Sequence, residues 1–483
     1  MVGIVGFGAY VPQLRLQRSA IAQAHAWFAP GLQALARGER AMACWDEDAI
    51  TMAVEAARDC FADRARDQVR TLMFASTSAP FADRQNAGVV KEALNLSDEV
   101  ATLDAGGSQK AATSALLSAL HAARGGAGDV LCVAAERPRA RPATEAELLG
   151  ADAAACMLVG TGAPLASFVG GHAVSADLVD HFRSAESGFD YAWESRWVRE
   201  EGYGKLVERA LGEALARHGL KGADVQRLLV PIPVRGVADA LARKTGIGAA
   251  AVADDLAGSL GHAGAAQPLV QLAHALASAA PGDRIVLVGF GQGCDVLIFQ
   301  ATERIRHWRP RLGVAGHLLR RKAETNYLKF LAFGGLLDLD KGMRAEMDQK
   351  QPLTALYRSR KAVLGLVGSR CTATGAVQFP RSEISVASTV ATVGTQEDYP
   401  LAERGARILT HTADNLTYTL DPPCYYGMVA FDGGGRLLTE FADADAGNVR
   451  VGAPVRMVFR IKARDAQRGF TKYFWKAAPA AAE

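Results

Sequence analysis

Leu103–Leu120 reads LDAGGSQKAATSALLSAL. A short apolar strand, with Val100 and Leu103, runs into Asp104-Ala105-Gly106-Gly107, and an Ala-rich helix follows with Leu116, Leu117 and Leu120 on one face. A side chain at such a strand-to-helix turn lies near a helix N-terminus. Unpaired N–H groups and the positive end of the dipole favour an anionic nucleophile there. Small neighbours leave room for a substrate. The side chains on offer are Ser108, a hydroxyl that attacks only beside a base, and Gln109, a neutral amide and a poor nucleophile. No cysteine lies nearer than Cys132, which reads as core of the buried strand Asp129–Glu136.

Other stretches bring polar groups to strand ends and loops. Thr71–Phe81 is a strand leading into Ser76-Thr77-Ser78-Ala79-Pro80-Phe81. Arg227–Pro233 is a strand ending Pro231-Ile232-Pro233, and Arg235 then opens a helix. A guanidinium there could meet a phosphate or stay solvated. Asp255–Leu276 is a Gly-rich loop entering a helix; it holds Gly261-His262 and Gly264, with His274 on the helix face as a structural residue. Pro281–Val296 gives a turn, an apolar strand and a loop with Gly289, Gly291 and Gly293, which permit close backbone approach. No downstream acid completes a dinucleotide fingerprint, so that reading is rejected.

Taken together these segments resemble the thiolase superfamily, specifically hydroxymethylglutaryl-CoA synthases and type III ketoacyl synthases. GFGAYVP near the N-terminus, DEDxxTMAxEAA over Asp46–Ala57 and GADAAACMLVG within Leu148–Val159 and just beyond are similar to family segments. So are the nucleophile turn and the closing Gly-Phe-Gly-x-Gly loop. The resemblance places the family's acyl-forming Cys five residues after Asp104 and seven before Leu116, at Gln109 by both counts. It places the catalytic Glu at Thr77, which cannot shuttle a proton at neutral pH. The His of the His-x-Pro motif falls on Pro231. The Asn of Gly-Asn falls on His262, where thiolases proper carry Gly-His. The resemblance implies the scaffold without acyl-cysteine catalysis, and an expected set of Gln109, Ser108, His262 and Thr77 at the catalytic positions. Arg235, Gly264, Gly291 and Gly293 are the expected contacts to coenzyme A.

Between these motifs, Asp46–Asp48 reads as charge complementing a helix dipole. Asp177–Tyr203, rich in charge and Trp, reads as an insertion that covers the active-site mouth or forms a dimer contact. His181 and Arg183 in it either touch substrate or sit on a surface helix with buried aromatics.

After Gln300 the pattern changes. ERIRHWRPRL is a basic linker, Asn326–Asp340 an apolar helix-like segment, and KGMRAEMDQK a charged one. Gly365–Pro380 resembles the rubredoxin-like zinc ribbon of the acyl-CoA-associated OB-fold family. Such a ribbon needs two Cys-x-x-Cys knuckles. Only Cys371 is present, and the second knuckle, near Ile384–Thr389, has none. A metal-free hairpin without zinc is expected. Gly405–Lys462 alternates short strands with Gly, Pro and Asp turns, as an OB barrel does, before an aromatic anchor and a disordered tail.

The expected fold class is α/β: a thiolase-like five-layer α-β-α-β-α arrangement built from two similar halves, then a degenerate zinc ribbon and an OB-fold β-barrel. The expected parts are 1–165 and 166–300 for the halves, 301–345 for the linker and helical segment, 346–400 for the ribbon and 401–478 for the OB fold. Hydrophobic residues make up 49% of the 483-residue chain, enough for sizeable cores, and no apolar run is long enough to span a bilayer. MVGIVGFGAYVP reads as a first strand and not a signal peptide. A formal charge of +3 is too small to argue for nucleic acid. Seven scattered Cys point to a reducing cytoplasm without disulfides.

The implied ligand is a coenzyme A thioester. The implied assembly is a homodimer, or a hetero-oligomer with a cysteine-bearing thiolase. The first functional expectation is a cysteine-less subunit of a thiolase complex that makes or breaks a C–C bond. The alternatives are an acyl-CoA decarboxylase or retro-aldolase using Gln109 and His262, and an acyltransferase using Ser108 with His262 as its base.

Overall fold

The computed structural model describes residues 1–192, 194–340, 352–388 and 392–480; the charged segment 341–350 and Thr389 lie outside the described residues. They form two compact units. The first comprises Met1–Cys44, Asp48–Gly88 and Ser97–Phe330; the second takes Trp45–Glu47, Val89–Leu96 and the chain from Leu331 onward.

The first unit is built on a nine-stranded sheet. Its strands are β1 (Val2–Tyr10), β2 (Val69–Ala75), β3 (Ala101–Ala105), β4 (Asp129–Glu136), β5 (Ala153–Thr161), β6 (Ala166–Ser175), β7 (Arg227–Leu229), β8 (Arg284–Phe290) and β9 (Gly293–Ala301). They lie in the order β7-β8-β9-β6-β1-β5-β4-β2-β3. The order hides a repeat. In the first half β2 pairs in parallel with β3 and β4, and β5 pairs antiparallel with β4 and β1. In the second half β7 pairs in parallel with β8, β9 pairs antiparallel with β8 and β6, and Val252 bridges Leu228 in parallel where a short third strand would stand. The halves meet at two residue pairs, Gly3 with Ser167 and Ile4 with Ala166. Runs such as VGIVGFGAY are buried at every position, because helices cover both faces.

Three helices position the site. Helix α1 (Ala49–Phe61) is buried throughout, and Asp48 caps it: its Oδ1 accepts the Thr51 N–H at 2.9 Å while Thr51 Oγ1 accepts the Asp48 N–H at 2.8 Å. A side chain at Gly8 would come within 2.2 Å of the Cys60 nitrogen, so a glycine is required where β1 crosses α1. Helices α2 (Ala111–Arg124) and α3 (Gln267–Ala277), one from each half, pack together through a core that includes Leu116, Leu120, Leu269 and Val270.

Two expectations are corrected here. Of Asp46–Asp48 only Asp48 serves the helix start; Asp46 and Glu47 belong to the second unit and neutralise buried cations there. The stretch after Gln300 is no free linker. Asp59 accepts the Leu312 N–H at 2.7 Å and the Gly313 N–H at 3.1 Å, and Lys322–Glu324 adds a parallel strand to Leu14–Gln17. Asp59 is buried on α1, so its lone pairs need those donors.

The second unit contains a small barrel: β10 (Ala406–Ile408), β11 (Thr412–Asp414), β12 (Cys424–Phe431), β13 (Arg436–Glu440), β14 (Pro454–Asp465) and β15 (Phe470–Pro479). The order is β11-β12-β10-β14-β15, with β13 on β12. It closes where Thr439 Oγ1 donates to Trp475 O at 2.9 Å and Phe441 bridges Ala477. Arg460 and Lys476 are buried in this unit. Arg460 Nη2 lies 3.2 Å from Glu47 Oε1 and 3.3 Å from Asp443 Oδ2; Lys476 Nζ lies 2.9 Å from Asp46 Oδ2 and 2.8 Å from Glu440 Oε2. Burial works against the Lys476 charge, but Asp46 and Glu440 outweigh it and hold the ammonium above its ordinary range.

Ahead of the barrel, Val367–Cys371, Val377–Gln378 and Gln396–Pro400 form a three-stranded antiparallel sheet. Cys371 and Thr374, and then Ser385 and Ser388, keep the knuckle spacing. Hydroxyls meet there: Thr374 Oγ1 is 2.9 Å from Ser385 Oγ, and Cys371 Sγ is 3.4 Å from Thr395 Oγ1. Neutral hydroxyls and one thiol do not make a structural zinc site, and no group of three or more His, Cys, Asp or Glu among the described residues is placed to hold a metal. Elemental analysis of the purified chain is expected to find no stoichiometric zinc; one zinc per chain would mean ligands from elsewhere. Among the described residues no helix is long and apolar enough to cross a membrane.

Candidate functional site

The turn between β3 and α2 is fixed from three sides. Asp104 accepts the backbone N–H of Asn86 at 2.8 Å and of Ala87 at 2.7 Å, which ties the loop after β2 to β3. Gly107 takes a φ of +77°, turning the chain into the helix. Lys110 Nζ, Thr113 Oγ1 and Ser114 Oγ reach buried Asp295 on β9 at 2.9, 3.0 and 2.6 Å. Asp295 thus holds the first turn of α2 against the second half.

The glycine loop presses on the same turn. A side chain at Gly291 (φ +155°) would lie 2.8 Å from Ser108 Oγ and 2.9 Å from Gln109 N. One at Gly264 would lie 2.9 Å from Glu136 Cγ and 3.1 Å from Gln109 Oε1; one at Gly293 would strike Val174 O at 2.2 Å. Arg235 is exposed, beside Gly236 at the start of helix Val237–Thr245, and it lines no pocket with Gln109.

Gln109, Ser108 and Thr77 come together on one pocket of about 610 Å³, with Arg139, Asp180 and His181 on its wall. Gln109 Nε2 lies 2.8 Å from His181 Nε2 and 3.4 Å from Thr77 Oγ1. With the amide as donor, His181 accepts at Nε2 and carries its proton on Nδ1, 3.1 Å from Asp180 Oδ2. Burial lowers the basicity of His181, but Asp180, Asp190 and Glu136 outweigh it and lift the imidazole above its ordinary value. Ser108 Oγ donates to Gly291 O at 2.6 Å and accepts from Lys110 N at 3.3 Å; among the described residues no imidazole or carboxylate bonds to it.

Behind Thr77 lies Glu136, at the end of β4. Its Oε2 accepts the Thr77 N–H at 2.8 Å and the Thr77 hydroxyl at 3.1 Å, and its buried Oε1 has no partner. Burial is the largest influence and raises its pKa above the ordinary carboxylate range, against the bonds from Ser78 and Thr77. The position assigned to a lost acid therefore has a carboxyl group beside it, supplied by the neighbouring strand.

His262 is not a partner of Gln109. Its Nε2 donates to Pro231 O at 3.0 Å and its Nδ1 accepts the Gly264 N–H at 3.2 Å. Burial lowers its basicity, so it stays neutral, with both nitrogens committed to backbone. The imidazole at the amide is His181, and it does not lie on a surface helix. His181–Phe182 pairs with Tyr191–Ala192 as a short hairpin over the pocket, and helix begins only at Ser195. Arg183 donates to Asp190 and to Thr77 O, which pins that hairpin to the site.

Glu136, Asp180 and Arg139 escape a reading of motifs. One signal was available: β4 ends its apolar run on a lone charge, and the parallel register of Ala75 with Ala134 puts Glu136 opposite Thr77. Nothing in the sequence joins Asp180-His181 to Gln109.

Comparisons with known proteins bear on the fold that carries this site. Residues 215–298 match the family described as 3-oxoacyl-[acyl-carrier-protein] synthase III C terminal, and 401–460 match the ChsH2 C-terminal OB-fold domain. The hydroxymethylglutaryl-CoA synthase of Pyrococcus horikoshii is 29% identical over 332 residues, spanning 66% of this chain and 93% of that protein. A crystal structure of hydroxymethylglutaryl-CoA synthase complexed with CoA superposes with a TM-score of 0.62 at 16% identity, covering 72% of this chain and 95% of that one. The 3-oxoacyl-(acyl carrier protein) synthase III of Pseudomonas aeruginosa gives 0.55 at 19% identity, over 62% and 98%. The first unit has a thiolase-like fold, and an OB-fold domain lies in the C-terminal part of the chain.

Proposed function

From a chain that is hydroxymethylglutaryl-CoA synthase-like, with a thiolase-like fold and a C-terminal OB-fold domain, we propose a protein that binds acyl-CoA thioesters without forming an acyl-cysteine. Its place is as the cysteine-less subunit of a complex with a cysteine-bearing thiolase that makes or breaks a C–C bond. The observation that carries this reading is Gln109 itself, whose amide hydrogens at the nucleophile turn face His181 and Thr77. The pocket of about 610 Å³ beside it has the size of a small-ligand site. Gly264, Gly291 and Gly293 keep the backbone close enough for a thin pantetheine arm, and Arg235 is free to meet a CoA phosphate. Calorimetry is expected to show acetyl-CoA binding to the chain. No heat, with or without a partner thiolase, would remove the acyl-CoA role.

The sheet edge supports association. Strand β3 ends the sheet, and its Leu103 is 49% exposed. Its outer N–H groups are a template for another strand, while Gln85 Nε2 donates to the Thr102 carbonyl at 2.7 Å. The chain is expected to sediment as a dimer, or with a thiolase, and Thr102→Pro is expected to dissociate it. A monomer under both conditions would remove this arrangement.

A second reading, a stand-alone acyl-CoA decarboxylase or retro-aldolase, draws support from one observation: a His–Asp pair lines the pocket next to Gln109. His262 does not serve it, since both of its nitrogens are bonded to backbone.

A further inference from the structure

Among the groups around the pocket, His181 combines features that a bound acyl thioester would use and that a structural histidine does not need. Its side chain is 23% exposed, so the ring reaches the cavity. Asp180 fixes the ring through Nδ1, which leaves Nε2 as the basic nitrogen. The acceptor at Nε2 faces the carboxamide that occupies the nucleophile position. The charged groups around it are accounted for. Asp180 is bonded to it. Asp190 is held by Arg183 and by the Arg139 N–H, and Glu136 stands behind Thr77. Arg139 also lines the pocket. The two side chains at the nucleophile turn offer no attack of their own: Ser108 donates to a carbonyl and has no base bonded to it, and Gln109 is not a nucleophile.

We propose that His181, oriented by Asp180, is the general base of this pocket and removes a proton from the carbon next to the thioester carbonyl of a bound acyl-CoA. The proposal rests on the acyl-CoA reading of the site. In the step, the Cα–H bond breaks and its proton goes to His181 Nε2. The electron pair forms the Cα=C bond, and the negative charge moves to the thioester oxygen. The imidazolium that results faces Asp180. The Gln109 N–H displaced from Nε2 then has the enolate oxygen as its acceptor. Return of the proton restores the thioester, so no oxidant or second substrate is needed. A positioned base of this kind contributes roughly 100-fold to 10,000-fold.

The test is exchange of the acetyl hydrogens of acetyl-CoA in D2O, followed by mass spectrometry of the acyl group, with acetyl-CoA binding measured on each variant. The wild-type chain is expected to incorporate deuterium, with a rate that rises with pH and levels off once His181 is deprotonated. His181→Gln is expected to lose about 100-fold or more in rate while still binding acetyl-CoA. Asp180→Asn is expected to slow exchange and to move the midpoint of the pH profile down, because the carboxylate that holds the imidazole above its ordinary value is gone. This variant carries the test if His181→Gln does not fold. Binding without exchange, exchange unaffected in both variants, or release of free CoA thiol without exchange would overturn the proposal and leave the acyl-CoA reading standing. Absence of binding would overturn both.

Discussion

Incubated with acetyl-CoA, the chain is expected to gain no acyl mass. A transferable acyl group needs a nucleophile whose proton can leave. Gln109 is a neutral amide with its hydrogens directed at His181 and Thr77. The Ser108 hydroxyl donates to the Gly291 carbonyl at 2.6 Å, and a carbonyl oxygen cannot take its proton. Intact-mass spectrometry reads the outcome directly. Gln109→Cys is expected to leave condensation absent, because His262 has both ring nitrogens committed to backbone and stands apart from residue 109. A wild-type acyl adduct abolished by Ser108→Ala would replace this account with a serine acyltransferase. Carbon dioxide release from malonyl-CoA that stops in Gln109→Ala would establish a decarboxylase.

Arg460→Met is expected to destabilise the second unit by about 3–5 kcal/mol, the usual cost of removing one partner from a buried ionic group. The guanidinium is fully buried and stands between Glu47 and Asp443, with Asp46 Oδ1 at 3.8 Å from Nε. Without it, carboxylates with little access to water lose their countercharge, and Lys476 remains to neutralise only Asp46 and Glu440. Chemical denaturation followed by the fluorescence of buried Trp475, in a background where the other five Trp are replaced by Phe, reads this unit. A shift below about 1 kcal/mol would show that the network contributes no more than an exposed pair does.

The architecture was legible because it is written in local patterns. Apolar runs fix β1, β4 and β5, and the Asp48–Thr51 cap marks the start of α1. The glycines at 291 and 293 stand where backbones cross. The site was legible only in part. Gln109, Ser108 and Thr77 sit in motifs and meet on one pocket. His181 comes from a short hairpin with no periodicity, and its role depends on where that hairpin folds. Glu136 becomes visible only through strand register. His262 has a catalytic neighbourhood in the sequence, yet its ring bonds to the Pro231 carbonyl. Asp46 and Glu47 look like helix-start charge, because their partners lie near the other end of the chain.

That last separation governs the order in which the molecule can be assembled during synthesis. Trp45–Glu47 leaves the ribosome long before Ile461, whose N–H donates to Asp46 O at 2.8 Å, and before Arg460 and Lys476. Until those strands emerge, the nascent chain holds Asp46 and Glu47 without these two cations. The second unit is complete only when β14 and β15 have followed the first unit's segments out of the ribosome, so it cannot close before the first unit's sequence is available. A fragment beginning at Leu331 would lack two of the carboxylates its buried cations need. A chain stopped short of β14 would leave the Trp45–Glu47 segment open to chaperones and proteases.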